Sequence, residues 1–358
     1  MPSFSHLHVH TQFSLLDGAA DISDLYKKAV ADKMPAIAIT DHGNMFGAFK
    51  FVAEASKFNK DGTVIKPIVG CEFYVVEERH KRQFTKEDKD KRFHQLFLAK
   101  NAEGYKNLVK MCSLGYIEGL YGKYPRIDKE LVLKYHKGLI ATTCCLGASV
   151  PQTILKNGEA AGEKEFKWWL DLFGDDYYVE LQRHDIPEQN KVNEVLLRFA
   201  EKYNVHVIAS NDSHYVDQED YNAHDILLCI NTGEKQSTEK LKDFSDDDGF
   251  SKGKRFAFYN DQFYFKTTDE MGKLFSDIPQ AIDNTNRIVD KIDPLKLKQD
   301  ILLPHFKIPE GFTTQDEYLK HITYLGAKER YKDLTPEIEE RINSNCLPFR
   351  QWDSPDIF

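Results

Sequence analysis

Seven short apolar runs, separated by amphipathic stretches over the first two hundred residues, constrain the fold of this chain more than any other feature. They are Phe4–Val9, Ala36–Thr40, Ile68–Val76, Gln95–Ala99, Leu139–Thr142, Tyr177–Leu181 and Val205–Ala209. Each has the length of a strand and falls short of a buried helix. Between them, apolar residues recur at helical spacing over Ile22–Asp32 (capped by Asp21), Ala48–Phe58, Tyr105–Leu114, Gly162–Leu172 and Gln189–Tyr203. Strands alternating with helices predict a parallel α/β architecture, either an open sheet or a closed barrel.

The same runs end in polar clusters, where sheet and barrel enzymes carry their chemistry. The first leads through His6-Leu7-His8-Val9-His10, and period-two alternation puts its three histidines on one face. Others reach Asp41-His42-Gly43, Cys71-Glu72, Cys144-Cys145 and Asn211-Asp212-Ser213-His214, while His94 opens the fourth run. Asp17 lies in the loop after the first run, beside Gly18, which permits a tight turn. Thus His8, His10, Asp17, His42, Glu72, His94, Cys145, Asp212 and His214 form a candidate metal centre. Imidazole, carboxylate and thiolate are zinc-type ligands. Nine exceed one tetrahedral centre and suit two or three divalent ions, zinc first, with manganese or iron as alternatives; Glu72 is the candidate bridge. Such a cluster can hydrolyse phosphate esters. Asp41 either orients His42 or a neighbour, or caps the following helix. His6 is expected in the core or behind the ligands, with peripheral ligation as the alternative. Cys144 is expected to face the core, Cys71 to pack, and His224 to be structural.

Bulk properties narrow the class. With 41% hydrophobic and 29% charged residues, the chain is neither disordered nor membrane-like. No apolar run approaches the roughly 18 residues of a membrane helix, and the start lacks the pattern of a signal peptide, so a cytoplasmic location is expected. Six cysteines in 358 residues do not suggest a disulfide framework. A net charge of −9 argues against a basic sheath for DNA, though not against a local nucleic-acid site. Arg79–Arg92 reads as a solvated charged insertion, and Asp243–Phe265 as a surface hairpin ending in aromatics. After Asn284 the chain becomes extended and proline-punctuated, before helices over Gln315–Tyr331 and Pro336–Ile342. These features divide it into 1–284, a linker and extension over 285–342, and a tail over 343–358.

The motifs together resemble the polymerase and histidinol-phosphatase (PHP) superfamily, and more closely the amino-terminal part of bacterial DNA polymerase III alpha subunits. The resemblance rests on His8-Val9-His10-Thr11 with Phe13-Ser14-Leu15-Leu16-Asp17-Gly18, Ile39-Thr40-Asp41-His42-Gly43-Asn44-Met45 and Gly70-Cys71-Glu72-Phe73-Tyr74. It continues in His94-Gln95-Leu96, Leu98-Ala99-Lys100-Asn101, Gly104-Tyr105, Asn107-Leu108, Asn211-Asp212-Ser213-His214-Tyr215 and Leu303-Pro304-His305-Phe306, reaching about Ile342. It implies an irregular seven-stranded (β/α)7 PHP barrel, with the start of the polymerase palm region as the extension. It groups His8, His10, Glu72 and Asp212 around one metal, Glu72, His94 and Cys145 around a second, and Asp17, His42 and His214 around a third; many members carry histidine in place of Cys145. The implied activity is metal-dependent 3′–5′ exonuclease action on DNA, with polymerase activity only in the full-length subunit, whose palm carboxylates lie downstream. The implied partners are DNA and other subunits of the replicative holoenzyme, including a proofreading exonuclease; no membrane is implied. The alternatives are a freestanding phosphatase acting on a small phosphomonoester and a noncatalytic, metal-stabilised scaffold. Gly253–Met271 and Leu303–Gly311 favour the polymerase subunit over the phosphatase.

The resemblance stops at Asn343. DNA able to encode Trp352–Phe358, read one base earlier, encodes the Met-Gly-Phe-Pro-Gly-Tyr-Phe type of segment expected of the family there, so an out-of-frame tail is expected.

Overall fold

A computed structural model describes residues 3–59, 64–85, 87–241, 254–300 and 306–346. Seven strands form the main sheet: β1 Ala36–Ile39, β2 Lys66–Val76, β3 Phe93–Ala99, β4 Arg126–Asp128, β5 Leu139–Thr142, β6 Tyr177–Leu181 and β7 Val207–Ala209. Their order is β1-β2-β3-β5-β6-β7, with β4 also on β2, and the sheet curves into a partly closed, irregular barrel. Around it lie α1 Ile22–Ala31, α2 Ala48–Phe58, α3 Ala102–Ile117, α4 Lys129–Tyr135, α5 Ser149–Asn157, α6 Glu159–Phe173 and α7 Pro187–Tyr203.

Two features depart from the sequence reading. The sheet is mixed rather than parallel, because β3 runs antiparallel to both β2 and β5. The first apolar run is also not a regular strand. Its residues make isolated parallel bridges, His6 with Ile37 on one side and Val9 with Ser213 on the other. A side chain interrupts the ladder: the Val9 amide donates to Thr40 Oγ1 at 2.8 Å, and the Thr40 amide donates back to the Val9 carbonyl at 2.9 Å. The run therefore bridges β1 and the segment after β7. β4 takes the remaining place in the strand count.

Alternation on the strands serves two buried layers. Ile37 and Ile39 pack outward towards the helices, while Ala36, Ala38, Ile68, Leu98, Ile140, Tyr178 and Ile208 join Leu7 in a separate inner cluster. Both strand faces are thus apolar, as expected of a sheet covered on each side. Ile288, Val289 and Ile292, from α10 at Pro279–Lys291 and just beyond it, complete the inner cluster. Lys66, the first residue of β2, donates to the carbonyls of Val289 and Ile292. Helix α10 therefore plugs the barrel where β2 begins, leaving the opposite end for the polar cluster.

The charged run Arg79–Arg92 is not simply solvated. Arg79 and Arg92 at its ends are buried, as is Arg126 of β4. Arg79 pairs with Asp128, Glu118 and Glu130, and Arg126 with Asp90. The aromatic end of Asp243–Phe265 is not superficial either. Phe258, Phe263 and Phe265 are buried, and the strand at Lys254–Arg255 (β9) pairs parallel with Glu239–Lys240 (β8), so these two strands are not the arms of a hairpin. Residues 243–253 of that segment lie outside the described residues.

α8, Tyr221–Thr232, follows β7, and α9, Thr268–Leu274, precedes α10. The expected break near 285 falls inside α10; the chain's contacts divide it into units 1–297 and 298–358. In the second unit, Thr314 and Glu317 form a capping box at the start of α11, Gln315–Arg330, and α12 spans Pro336–Cys346. The run Leu303-Pro304-His305 and the tail from 347 onward lie outside the described residues. Among the described residues, no helix is long and apolar enough to cross a membrane.

Candidate metal centre

The parallel strands β1, β5, β6 and β7 and the first run finish at the end of the barrel opposite α10, and the antiparallel β3 starts there. This accounts for His94 standing near the beginning of its strand while the other candidates follow theirs. Gly43 donates its amide to the Glu72 carbonyl at 2.7 Å, binding the turn after β1 to β2. Gly18 packs so tightly in the Asp17 loop that a Cβ there would lie 2.2 Å from the Thr11 carbonyl oxygen. Asp212 and Cys144 adopt left-handed backbone, with φ of 47° and 59°, a strain that often marks functional positions in non-glycine residues.

The nine side chains meet around Glu72. His8 Nε2 lies 3.4 Å from Glu72 Oε1 and 3.2 Å from Asp212 Oδ1. His10 Nε2 is 3.3 Å from Glu72 Oε2 and 3.2 Å from Asp212 Oδ1. On another side, Glu72 Oε1 is 3.1 Å from His94 Nδ1 and 3.3 Å from Cys145 Sγ. Beyond these, Asp17 Oδ2 faces His42 Nε2 at 2.9 Å and His214 Nε2 at 3.1 Å. His42 Nδ1 returns to Glu72 Oε2 at 2.8 Å, and the His10 ring stacks on both His42 and His214. Glu72 and His8 are fully enclosed, while the side chains of Asp17, His42 and His94 keep 14–16% exposure and form the mouth.

Hydrogen bonding does not account for this convergence. His8 Nε2, His10 Nε2, His42 Nδ1, Asp17 Oδ2, Glu72 Oε2 and Asp212 Oδ1 are buried and lack a hydrogen-bond partner among the described residues. Buried polar atoms left this way are costly, and natural proteins avoid them unless something else satisfies them. Nitrogen, carboxylate and thiol donors at these separations fit divalent cations, and four groups of three such side chains can each hold one: His8/His10/Asp212, His42/Glu72/His94, His10/His42/His214 and His8/Glu72/Cys144.

Electrostatics agrees with ionised acids facing imidazoles. Burial alone would raise the carboxyl pKa of Glu72, but His94, His42 and His8 outweigh it and hold the value well below the usual range. Asp17 is lowered in the same way against burial, by His214 and His42. Burial would lower His42, yet Glu72 and Asp17 raise it to about 10.

Behind these side chains lies a layer that sequence reading largely missed. Glu180 of β6, fully buried, accepts from His8 Nδ1 at 2.7 Å and from Ser210, Thr142 and Gln182. Its contact sets the His8 tautomer so that Nε2 faces Glu72 and Asp212. Ser14 does the corresponding work at His10: its hydroxyl is 3.0 Å from His10 Nδ1 and donates to Asp41 Oδ1 at 2.7 Å. Asp41 therefore acts through Ser14 and Thr11, and Gly47 rather than Asp41 precedes α2. Glu180 carried a weak signal as the lone carboxylate in an apolar strand; Ser14 carried none.

Cys144 packs in a small core cluster with Leu96 and Ala148, as expected, but does not face away from the centre. Its thiol donates to Glu72 Oε1 at 3.1 Å. His6 is buried beside Phe4 and Phe265, with Nε2 donating to the Lys266 carbonyl, as a core role requires. Cys71 is buried, and His224 donates from Nε2 to the Asp17 backbone carbonyl, supporting the loop that carries Asp17.

A family model described as the PHP domain matches residues 6–184. The DNA polymerase III subunit alpha of Borreliella burgdorferi is 44% identical over 342 residues, covering 94% of this chain and 28% of its own length. That of Thermus aquaticus is 42% identical over 343 residues, covering 93% and 26% respectively. The chain thus spans about a quarter of the length of these curated relatives. Among solved structures, an amidohydrolase from Chromobacterium violaceum aligns with a TM-score of 0.37 and 14% identity, over 60% of this chain and 88% of its own. From its fold, its clustered donors and the match over half its length, the chain belongs to the PHP domain family.

Proposed function

We propose that the nine side chains hold two or three divalent metal ions, zinc foremost, and that this centre hydrolyses phosphodiesters as a 3′–5′ exonuclease. The supporting observation is the set of buried donor atoms around Glu72 that converge without hydrogen bonds. His8, His10, Glu72 and Asp212 would hold one ion, Glu72, His94 and Cys145 a second, and Asp17, His42 and His214 a third. When bound, such ions supply Lewis-acid chemistry: they neutralise phosphoryl charge and acidify water. The protein's own part is positioning. Glu180 and Ser14 hold His8 and His10 by their Nδ1 atoms, leaving Nε2 of each directed inward. Glu72 links the groups because its two oxygens face different neighbours. Asp17, His42 and His94 line the exposed side, where a strand terminus would approach.

The similarity to alpha subunits extends this reading. The chain would act as the amino-terminal region of a replicative polymerase subunit, with DNA, holoenzyme subunits and a proofreading exonuclease as partners. Polymerase activity would belong to the full-length protein. Five unpaired cysteines among the described residues, one offered as a metal ligand, suit a reducing, cytoplasmic setting.

The test is zinc- or manganese-dependent digestion of end-labelled single-stranded DNA by wild type and His8→Ala in parallel. Shortening from the 3′ end that disappears with the substitution supports exonuclease action. Digestion unchanged by the substitution, or none in metal-loaded wild type, contradicts it.

A further inference from the structure

Adjacent residues on an extended segment send their side chains to opposite faces, so Cys144 and Cys145 should not share a target. Here they do. The left-handed backbone at Cys144, φ 59°, turns the chain between β5 and α5 so that both thiols reach one carboxylate oxygen. Cys144 Sγ lies 3.1 Å and Cys145 Sγ 3.3 Å from Glu72 Oε1. Cys145 Sγ is also 3.4 Å from His94 Nδ1, which is itself 3.1 Å from Glu72 Oε1. A cysteine held in this conformation is strained, and β5 could have ended with glycine at no such cost.

We infer that Cys144 is a metal ligand as well as Cys145, making the Glu72–His94 side of the centre a two-thiolate position selective for a thiophilic divalent cation. The inference rests on the metal-binding reading above and extends it. A tetrahedral ion bound at about 2.0 Å by oxygen or nitrogen and about 2.3 Å by sulfur has ligand–ligand edges of roughly 3.3–3.8 Å, the longest between two sulfurs. The four separations just given lie close to that range. Cys144 also groups with His8 and Glu72, and His8 Nε2 is one of the buried atoms without a hydrogen-bond partner. Both thiols thus meet at Glu72 Oε1, the oxygen that His94 also faces. Each would release its proton to water on binding the cation. Thiolates favour zinc or cadmium over manganese or magnesium, so this position would differ in selectivity from the Asp17, His42 and His214 side, which offers no sulfur.

The competing account is a neutral Cys144 thiol that only donates a hydrogen bond to Glu72. Sulfur counting separates the two. Wild type, Cys144→Gly and Cys145→Ser are loaded with zinc for X-ray absorption and with cobalt(II) for thiolate charge-transfer absorption, both expressed per chain. Glycine removes the thiol while accepting positive φ, which protects the fold. Two sulfur ligands per chain in wild type, with the cobalt band halved in each variant, support the inference. One sulfur ligand in wild type, with Cys144→Gly unchanged, overturns it and leaves the metal-binding reading standing. Bound metal with no sulfur overturns it together with the assignment of Cys145, and no bound metal at all overturns the broader reading too.

Discussion

Two regions concentrate charged or titratable side chains in the interior, and they resolve that burden in opposite ways. Around the Arg79–Arg92 segment the buried guanidinium groups of Arg79 and Arg126 meet oxygen. Arg79 bonds both Asp128 oxygens at 2.9 Å and Glu118 at 2.8 Å, while Arg126 bonds Asp90 at 2.6 Å and three backbone carbonyls. Around Glu72, ring nitrogens and carboxylate oxygens lie as close, yet six of those atoms complete no hydrogen bond. Completed partnerships mark a structural network. Converging atoms whose lone pairs and protons do not match mark a place prepared for something else.

The contrast predicts that the two regions fail differently. Removing the shared carboxylate by Glu72→Ala should cause the largest change: metal loss from two of the three groups, read as metal content after dialysis, with retained folding by circular dichroism. Full metal occupancy in that variant would erase the distinction. Arg126→Ala should do the reverse, lowering stability by about 1–3 kcal/mol for each buried carbonyl of Gly119, Arg79 and Lys81 left without its donor, while Asp90 keeps Arg92. Urea unfolding of metal-saturated protein reads the loss, and metal content per folded chain should not change.

A third set of buried groups sharpens the comparison, since burial acts there without a charged partner close enough to reverse it. Burial lowers His6 to about 3 and His184 and His224 to about 4. Because these folded values lie below the ordinary 6.5, the unfolded chain binds more protons between them. The stability they confer is complete above pH 6.5 and disappears as pH falls towards 4. The slope corresponds to on the order of 3 kcal/mol per group across that window. Urea midpoints measured on metal-free protein should therefore decline with acidification, and less so in His184→Gln.

Much of this was legible in the residues. Six of the seven apolar runs became strands, because short β-rich segments between helical periods leave few alternatives. The first did not, since Thr40 Oγ1 takes the ladder position a neighbouring carbonyl would fill. The nine candidates could be gathered because strand ends converge once the sheet curls. The reversal of β3 was hidden: its connection to β2 runs through the charged segment, whose buried arginines look from sequence like surface residues. The approach of Cys144 to Glu72 was hidden for a local reason, as alternation presumes extended backbone and its φ is positive. Glu180 acts through His8, 172 positions away, and Ser14, though near His10 in sequence, reaches it only through the turn of its loop.

Those hidden contacts give the smallest expected effect. Glu180→Gln keeps the size of the side chain but weakens its hold on His8 Nδ1, and metal affinity should fall about 10–100-fold with the fold intact. Competition with a chromogenic chelator measures it; unchanged affinity would place Glu180 in the structural class with Asp90.

The most direct test is the divalent metal content of the wild-type chain, saturated with zinc and dialysed, by mass spectrometry of the ions. The contrast between the two buried networks predicts two or three retained ions per chain, falling when Glu72 is replaced. Wild-type protein that retains no more metal than Glu72→Ala would contradict the reading of those converging atoms as ligands.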